Sequence, residues 1–88
     1  MAVRFVDEPT EVDAGLNADG LPLPRTFTWR GRRLAITDLG RRWEKESEGG
    51  LERHFLVMVA SGDRFELAYH ASTGRWRVVR TWERLSPV

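Results

Sequence analysis

Thr26-Phe27-Thr28-Trp29-Arg30-Gly31-Arg32-Arg33-Leu34-Ala35-Ile36-Thr37 alternates polar and apolar residues on both sides of a glycine. Successive side chains of a strand point to opposite faces, so this alternation predicts two strands, each with one buried face. Glycine first in a two-residue loop signals a type II′ hairpin turn. Pairing across Gly31-Arg32 sets Trp29 opposite Leu34 and Phe27 opposite Ile36. Those four residues then share one face, and Thr26, Thr28, Ala35 and Thr37 share the other. Turn chemistry and hydrophobic pattern agree on a hairpin.

The same reading extends toward the C-terminus. Leu51 to Ala60 is the longest strand candidate, with Phe55, Val57 and Val59 inside it. Arg64 to His70 alternates with Phe65, Leu67 and Tyr69 on one face. Arg75 to Trp82 alternates with Trp76 and Val78 on one face. Ser47-Glu48-Gly49-Gly50, Ser61-Gly62-Asp63 and Ala71-Ser72-Thr73-Gly74 supply the turns. Between the hairpin and Ser47, the segment Asp38–Glu46 fits a distorted strand or a short helical turn around Trp43.

The predicted fold is all-β and mainly antiparallel. It is a meander of five to six strands curled into a small barrel or half-barrel, with at most one short helix. Phe27, Trp29, Leu34, Ile36, Phe65, Leu67, Trp76 and Val78 form its expected core. Residues 25–88 make the β domain. Residues 1–24 read as an irregular segment packing on it, because Pro9, Gly15, Asn17, Gly20, Pro22 and Pro24 punctuate them, although Val3–Val6 suits a short edge strand. With 88 residues and no cysteine, the chain fits one thin-cored domain without disulfides, and its nine aromatics carry much of the core.

The far face of the sheet is mixed. A three-residue loop at 61–63 and a four-residue loop at 71–74 keep the aromatics together. They also put Leu56, Met58, Ala60, Ala68 and Val79 beside His54, His70, Arg64, Glu66, Arg75 and Arg77. Such a face is too apolar for solvent and too charged for a core. Cover by the N-terminal segment is favoured, and a partner surface is the alternative.

Composition excludes several function classes. The longest apolar run, Phe55 to Ala60, is far short of the about 20 residues that span a bilayer. No membrane role is expected. Asp7 and Glu8 interrupt any signal-type core near the N-terminus, so a cytoplasmic location is expected. Cysteine nucleophiles and Cys₄ zinc sites are excluded. Ser61, Ser72, His54 and His70 can be combined with an acid on paper, but no nucleophile elbow, phosphate loop or dinucleotide fingerprint is present. His54 and His70 fall across from each other in the expected register, yet two ligands do not complete a metal site. Glu44, Glu46 and Glu48 read as a solvated rim. Neither catalysis nor a metal or other cofactor is expected.

What stands out is basic and aromatic. The net charge is +1, yet residues 1–24 carry −4 and residues 25–45 carry +5. Thirteen of the fourteen basic residues are arginine, which grips phosphate and stacks on rings, although compositional bias also explains that count. Arg30, Arg32 and Arg33 crowd the hairpin tip. Arg41 and Arg42 precede Trp43, while Arg75 and Arg77 flank Trp76. These eight candidates, with Trp76 itself assigned to the core, are Arg30, Arg32, Arg33, Arg41, Arg42, Trp43, Arg75 and Arg77. Such a track suits a protein partner or a single-stranded nucleic acid, which needs basic groups and exposed stacking rings; Trp43 and Trp82 are the rings left for that role.

Pro24-Arg25-Thr26-Phe27-Thr28-Trp29-Arg30-Gly31-Arg32, with Ile36 and Trp43 beyond it, resembles the P-x-x-F-x-W-x-G-R opening of a small bacterial domain of unknown function. Phe55-Leu56-Val57, Gly62, Arg64-Phe65-Glu66-Leu67 and Trp76-Arg77-Val78-Val79-Arg80 fit the same pattern, as does Glu8-Pro9 before Val12. The resemblance covers most of residues 7–82. That domain occurs free-standing. A similar module closes catalytically inactive Y-family polymerase-like proteins of the ImuB type, which serve in mutagenesis. The resemblance implies a β-fold and an association with DNA repair. It carries over no catalytic residue. The reading is a non-catalytic β interaction module that contacts a protein partner in a DNA-repair or nucleic-acid context. Direct single-strand binding through Arg30–Arg33 and Arg41–Trp43 is the alternative, and an enzyme ranks last.

Overall fold

The computed structural model describes residues 2–83. It contains seven strands: β1 (Ala2–Thr10), β2 (Val12–Leu16), β3 (Pro22–Trp29), β4 (Arg32–Ser47), β5 (Gly50–Val59), β6 (Arg64–His70) and β7 (Arg75–Glu83). All pairings are antiparallel, in one sheet of order β1-β7-β6-β5-β4-β3-β2. The all-β expectation holds. The expected five to six strands are seven, and the described residues contain no helix and therefore none able to cross a membrane.

The sheet curls but does not close into a barrel. Its two edges, β1 and β2, are consecutive pieces of chain meeting at Glu11, end to end rather than side by side, so no ladder joins them. Hydrogen bonds tie this stretch to β3 and its turn: the Thr10 hydroxyl donates to the Thr28 carbonyl at 2.6 Å, the Thr28 N–H donates to the Glu11 carbonyl at 3.0 Å, and Arg30 donates to Glu8 at 3.2 Å.

The segment expected to be irregular is therefore largely strand. Pro9 is tolerated because β1 is an edge strand. Pro22 and Pro24 pair with Leu16 and Ala14, while the ladder from β3 to β4 begins only at Thr26. Both prolines thus stand where β3 is paired on one side, and their missing N–H groups break no second ladder.

The hairpin of β3 and β4 turns one residue earlier than expected. Its two-residue loop is Arg30-Gly31, with φ of 48° and 79°, as a type I′ turn requires. Trp29 therefore faces Arg32 and Phe27 faces Leu34. Each partner moves two places along β4, and the pleat has a period of two, so the apolar faces survive the shift. The hairpin between β5 and β6 shifts in the same way: His54 lies opposite Ala68, and His70 opposite Glu52. Between β6 and β7 the expected His70–Arg75 pairing is present.

Asp38–Glu46 resolves as strand. β4 carries two bulges on the β5 side, one between Ile36 and Asp38 and one between Leu39 and Arg42. Gly40 sits in the second, where a Cβ would stand 3.2 Å from the Leu56 carbonyl oxygen.

Phe27, Trp29, Phe65, Leu67 and Val78 are buried together with Phe55, Val57 and Val59, and Leu34, Ile36 and Trp76 pack against them half-buried. Phe65 of β6 receives the rings of Phe27 and Trp29 of β3 edge-on, with centroids 5.0 and 5.6 Å away. These contacts fold the β3 end of the sheet over β6 and give the curl its energetic reason.

Candidate functional site

The N-terminal segment does not lie across the far face, because its two strands form the two edges of the sheet, β1 beside β7 and β2 beside β3. Its buried groups are Glu52, His54, Glu66 and Ala68, and charged side chains close over them. Arg77 donates one amino group to both Glu52 oxygens, at 2.9 Å each, and the other to Asp7 at 2.6 Å. Arg80 donates its Nε to Glu66 at 2.6 Å. His54 Nδ1 lies 2.8 Å from the other Glu66 oxygen, and Nε2 lies 3.4 Å from Glu52 without hydrogen-bond alignment. Trp43, directly opposite His54, stacks over its ring at 5.4 Å between centroids.

Burial alone would push the Glu52 carboxyl up. The hydrogen bonds and charge of Arg77, with a smaller contribution from His54, outweigh it and hold the group below its usual value. Burial likewise opposes the charge on Arg77, and its bonds to Asp7 and Glu52 more than compensate. Glu83 is also lowered, with Arg4 overcoming the cost of burial. Sequence reasoning placed His54, Glu66 and Arg77 on this face but missed that His54 and Arg80 satisfy Glu66 and that Arg77 satisfies Glu52 and Asp7. Carboxylates at 52 and 66 with an arginine at 77 were the available signal, whereas strict alternation puts Arg80 on the other face and only the register irregularity between Glu66 and Leu67, which skips Val79, brings it to Glu66.

The eight candidate residues fall into separate groups. Arg30, Arg32 and Arg33 are exposed at the hairpin tip. Arg30 lies over the Trp29 ring at 4.6 Å and pairs with Glu8 at 3.2 Å. Arg33 donates to the Thr28 hydroxyl at 3.3 Å. Arg41 and Arg42 are exposed on β4, with the Arg41 guanidinium 5.6 Å from the Trp43 ring. Trp43 is half-buried, and one of its faces is occupied by His54. Arg75 is exposed, whereas Arg77 belongs to the ion-pair network. Arg32 and Trp43 are eleven residues apart on one strand, up to roughly 36 Å at full extension. Tip and Arg41–Trp43 segment are thus two clusters. Trp82, the other expected stacking ring, is half-buried with Arg80 5.0 Å from it.

The paper assembly of serine, histidine and acid reduces to one contact. Ser72 Oγ lies 2.9 Å from His70 Nδ1 and donates to the Gly49 carbonyl at 2.9 Å, tying the β6–β7 turn to the β4–β5 turn. The carboxylate of Glu52, opposite His70 in register, is directed to Arg77 and His54 instead. Among the described residues, no group of three or more histidines and acids is arranged to hold a metal ion.

β4 has a further property. The ladder to β3 ends at Ala35, so from Ile36 to Ser47 β4 is paired only with β5 among the described residues. Beside this open edge lies a cleft of about 350 Å³ between the β2–β3 turn and β4, lined by Leu21, Leu23, Arg42, Trp43, Arg53 and Phe55 among others.

Residues 1–83 match the family model described as a domain of unknown function, DUF6504. The chain belongs to the DUF6504 family. No curated protein and no solved structure matches it significantly. Membership agrees with a small domain and brings no ligand or reaction to the DUF6504 fold described above.

Proposed function

We propose that this DUF6504 domain is a non-catalytic interaction module that contacts a protein partner. One contrast carries the reading. The buried ionisable groups Glu52, His54 and Glu66 are committed to neighbours within the fold, whereas Arg41 and Arg42 stand exposed on a strand with an open edge. Groups held in mutual ion pairs are poorly disposed to exchange protons with a substrate, while exposed arginine beside a half-buried ring suits recognition. The resemblance to the module of ImuB-type proteins supports a bacterial, DNA-repair or nucleic-acid context.

The test is capture of partners from nuclease-treated host extract on immobilised domain, with Arg41→Gln/Arg42→Gln as control. A protein retained by the native chain and lost with the folded variant supports the reading.

The +5 charge of residues 25–45 favours a second reading, direct binding of a single-stranded nucleic acid by the Arg30–Arg33 tip and Arg41–Trp43. Fluorescence anisotropy with a labelled single strand decides it. Binding that weakens steeply with salt supports this reading, and no binding at micromolar protein in low salt removes it.

A further inference from the structure

We propose that the open edge of β4 joins two copies of this chain, residues 42–46 of one pairing antiparallel with residues 42–46 of the other about a two-fold axis at Glu44. The inference goes beyond the reading of the domain as a module for another protein, and it stands on the order of charges along β4. An unpaired edge presents N–H and C=O groups that template a further strand. Among the described residues that edge is free from Ile36 onward, and its register with β5 is continuous from Arg42 to Ser47.

The backbone sets which groups are offered. Leu51 and Val59 of β5 bond toward β6 and its turn, Leu51 accepting from the Ala71 N–H at 3.0 Å and Val59 donating to the Asp63 carbonyl at 3.1 Å. Backbone groups alternate in direction along a strand, so Gly50, Glu52 and His54 turn theirs to β4. Their partners are Ser47, Lys45 and Trp43. Arg42, Glu44 and Glu46 therefore direct N–H and C=O outward.

Charge order then chooses the partner and the axis. The cleft beside this edge holds Arg42 and Arg53 against Asp19 and Glu44, and Glu46 is exposed on the same strand, so net charge selects nothing. With the axis at Glu44, Arg42 of each copy lies opposite Glu46 of the other, and Trp43 opposite Lys45. Both pairs are attractive, and each is made twice. The one like pair, Glu44 against Glu44 of the second copy, is offset by Arg53, 3.7 Å from Glu44 within each chain. An axis at Trp43 sets Arg41 against Lys45 twice. An axis at Lys45 sets Glu44 against Glu46 twice and Lys45 against itself. A patch that matches itself is what a two-fold interface requires. The Glu48-Gly49 turn of the second copy then falls beside the bulged stretch before Arg42 and stops short of Ala35, where β3 is paired. The β2–β3 turn stands away from the edge across the cleft of about 350 Å³.

Sedimentation equilibrium of the pure chain, from micromolar to millimolar concentration, tests this. A ladder this short is a small interface, so a monomer–dimer equilibrium within that range is expected. Arg42→Glu, at an exposed site, should weaken the dimer at least about tenfold, because it sets like charges opposite Glu46 in both copies. Arg42→Glu/Glu46→Arg in one chain exchanges the two charges and should restore the dimer. Glu44→Gln removes the like pair on the axis and should tighten it. Circular dichroism should be unchanged in all three variants. Amide hydrogen exchange at millimolar chain should show Arg42, Glu44 and Glu46 gaining protection over the dilute protein, with Trp43 and Lys45 unchanged.

A chain that stays monomeric at millimolar concentration overturns the proposal. So does a dimer that the exchanged charges fail to restore, or one that leaves those three amides unprotected. Self-association is read with the pure chain, and capture of another protein with nuclease-treated extract, so either result fails without the other.

Discussion

Trp43 of β4 and His54 of β5 stand directly opposite each other and stack, with 17° between their ring planes. The indole roofs a histidine that has an acid on each side, Glu66 at one ring nitrogen and Glu52 at the other. Trp43 therefore has a structural duty as well as a surface. Trp43→Ala should cost about 1–2 kcal/mol, since only part of the ring's area is buried. Urea denaturation measures the cost, and loss of the ring-current shift on the His54 carbon-bound protons identifies its source. An unchanged midpoint would show that the stack contributes nothing.

The Phe27–Trp29–Phe65 cluster is the centre of the core. Trp29→Ala and Phe65→Ala should each cost about 3–5 kcal/mol, close to the whole stability of a small domain. Trp76→Ala should cost less, because Trp76 is half-buried and lies against Tyr69 and Phe55 at the margin. Equal losses at positions 29 and 76 in thermal or denaturant unfolding would contradict that ranking.

Acid should weaken the fold through Glu52. Its carboxyl titrates lower in the folded protein than in the unfolded chain, where the ordinary value is 4.5. The unfolded state then binds the proton first, so the contribution is present above about pH 5 and is lost as pH falls through the folded value. Glu83, lowered by Arg4, acts in the same direction. Melting temperatures from neutral to acid pH should fall, and Glu52→Gln should flatten part of that slope.

Gly31 occupies a left-handed position with open space where a Cβ would go. Gly31→Ala should therefore destabilise by backbone strain alone, by about 1 kcal/mol. Chemical denaturation measures it. A neutral result would mean that the turn relaxes into another type.

The tip and the Arg41–Trp43 segment should behave independently. Arg32→Gln/Arg33→Gln should leave stability within about 0.5 kcal/mol. If a single strand is the ligand, the same double substitution should reduce the salt slope by about two, one per lost phosphate contact. Urea denaturation measures the first and anisotropy against salt the second.

The hairpin and the core were readable in the sequence because pleat periodicity tolerates error in steps of two. Trp29 meets Arg32 rather than Leu34, yet Phe27, Trp29, Leu34 and Ile36 keep their face. The strands of residues 1–24 were hidden by Pro9, Pro22 and Pro24, whose effect depends on whether a strand is paired on one side or two. Sequence alone does not show that. Of the candidate site, the exposure of Arg41 and Arg42 follows from charge. The role of Arg77 depends on register across four neighbouring strands, β1, β7, β6 and β5, which brings residues 7, 52 and 77 together.

Ala2 pairs with Glu83, and Thr10 with Trp76. The first strand to leave the ribosome can find its native neighbour only after the last has been synthesised. Meanwhile β3 to β6 can pair in order as they emerge, each hairpin closing a short loop. Contacts so distant along the chain slow folding, because closure entropy is lost before the contact repays it. Throughout synthesis the edge of β1, with Phe5 exposed even in the finished fold, waits without its ladder. Asp7 and Glu8 of β1, with Glu11, Asp13 and Asp19 following it, give this stretch of chain a charge that discourages the waiting strand from pairing with a second copy of itself.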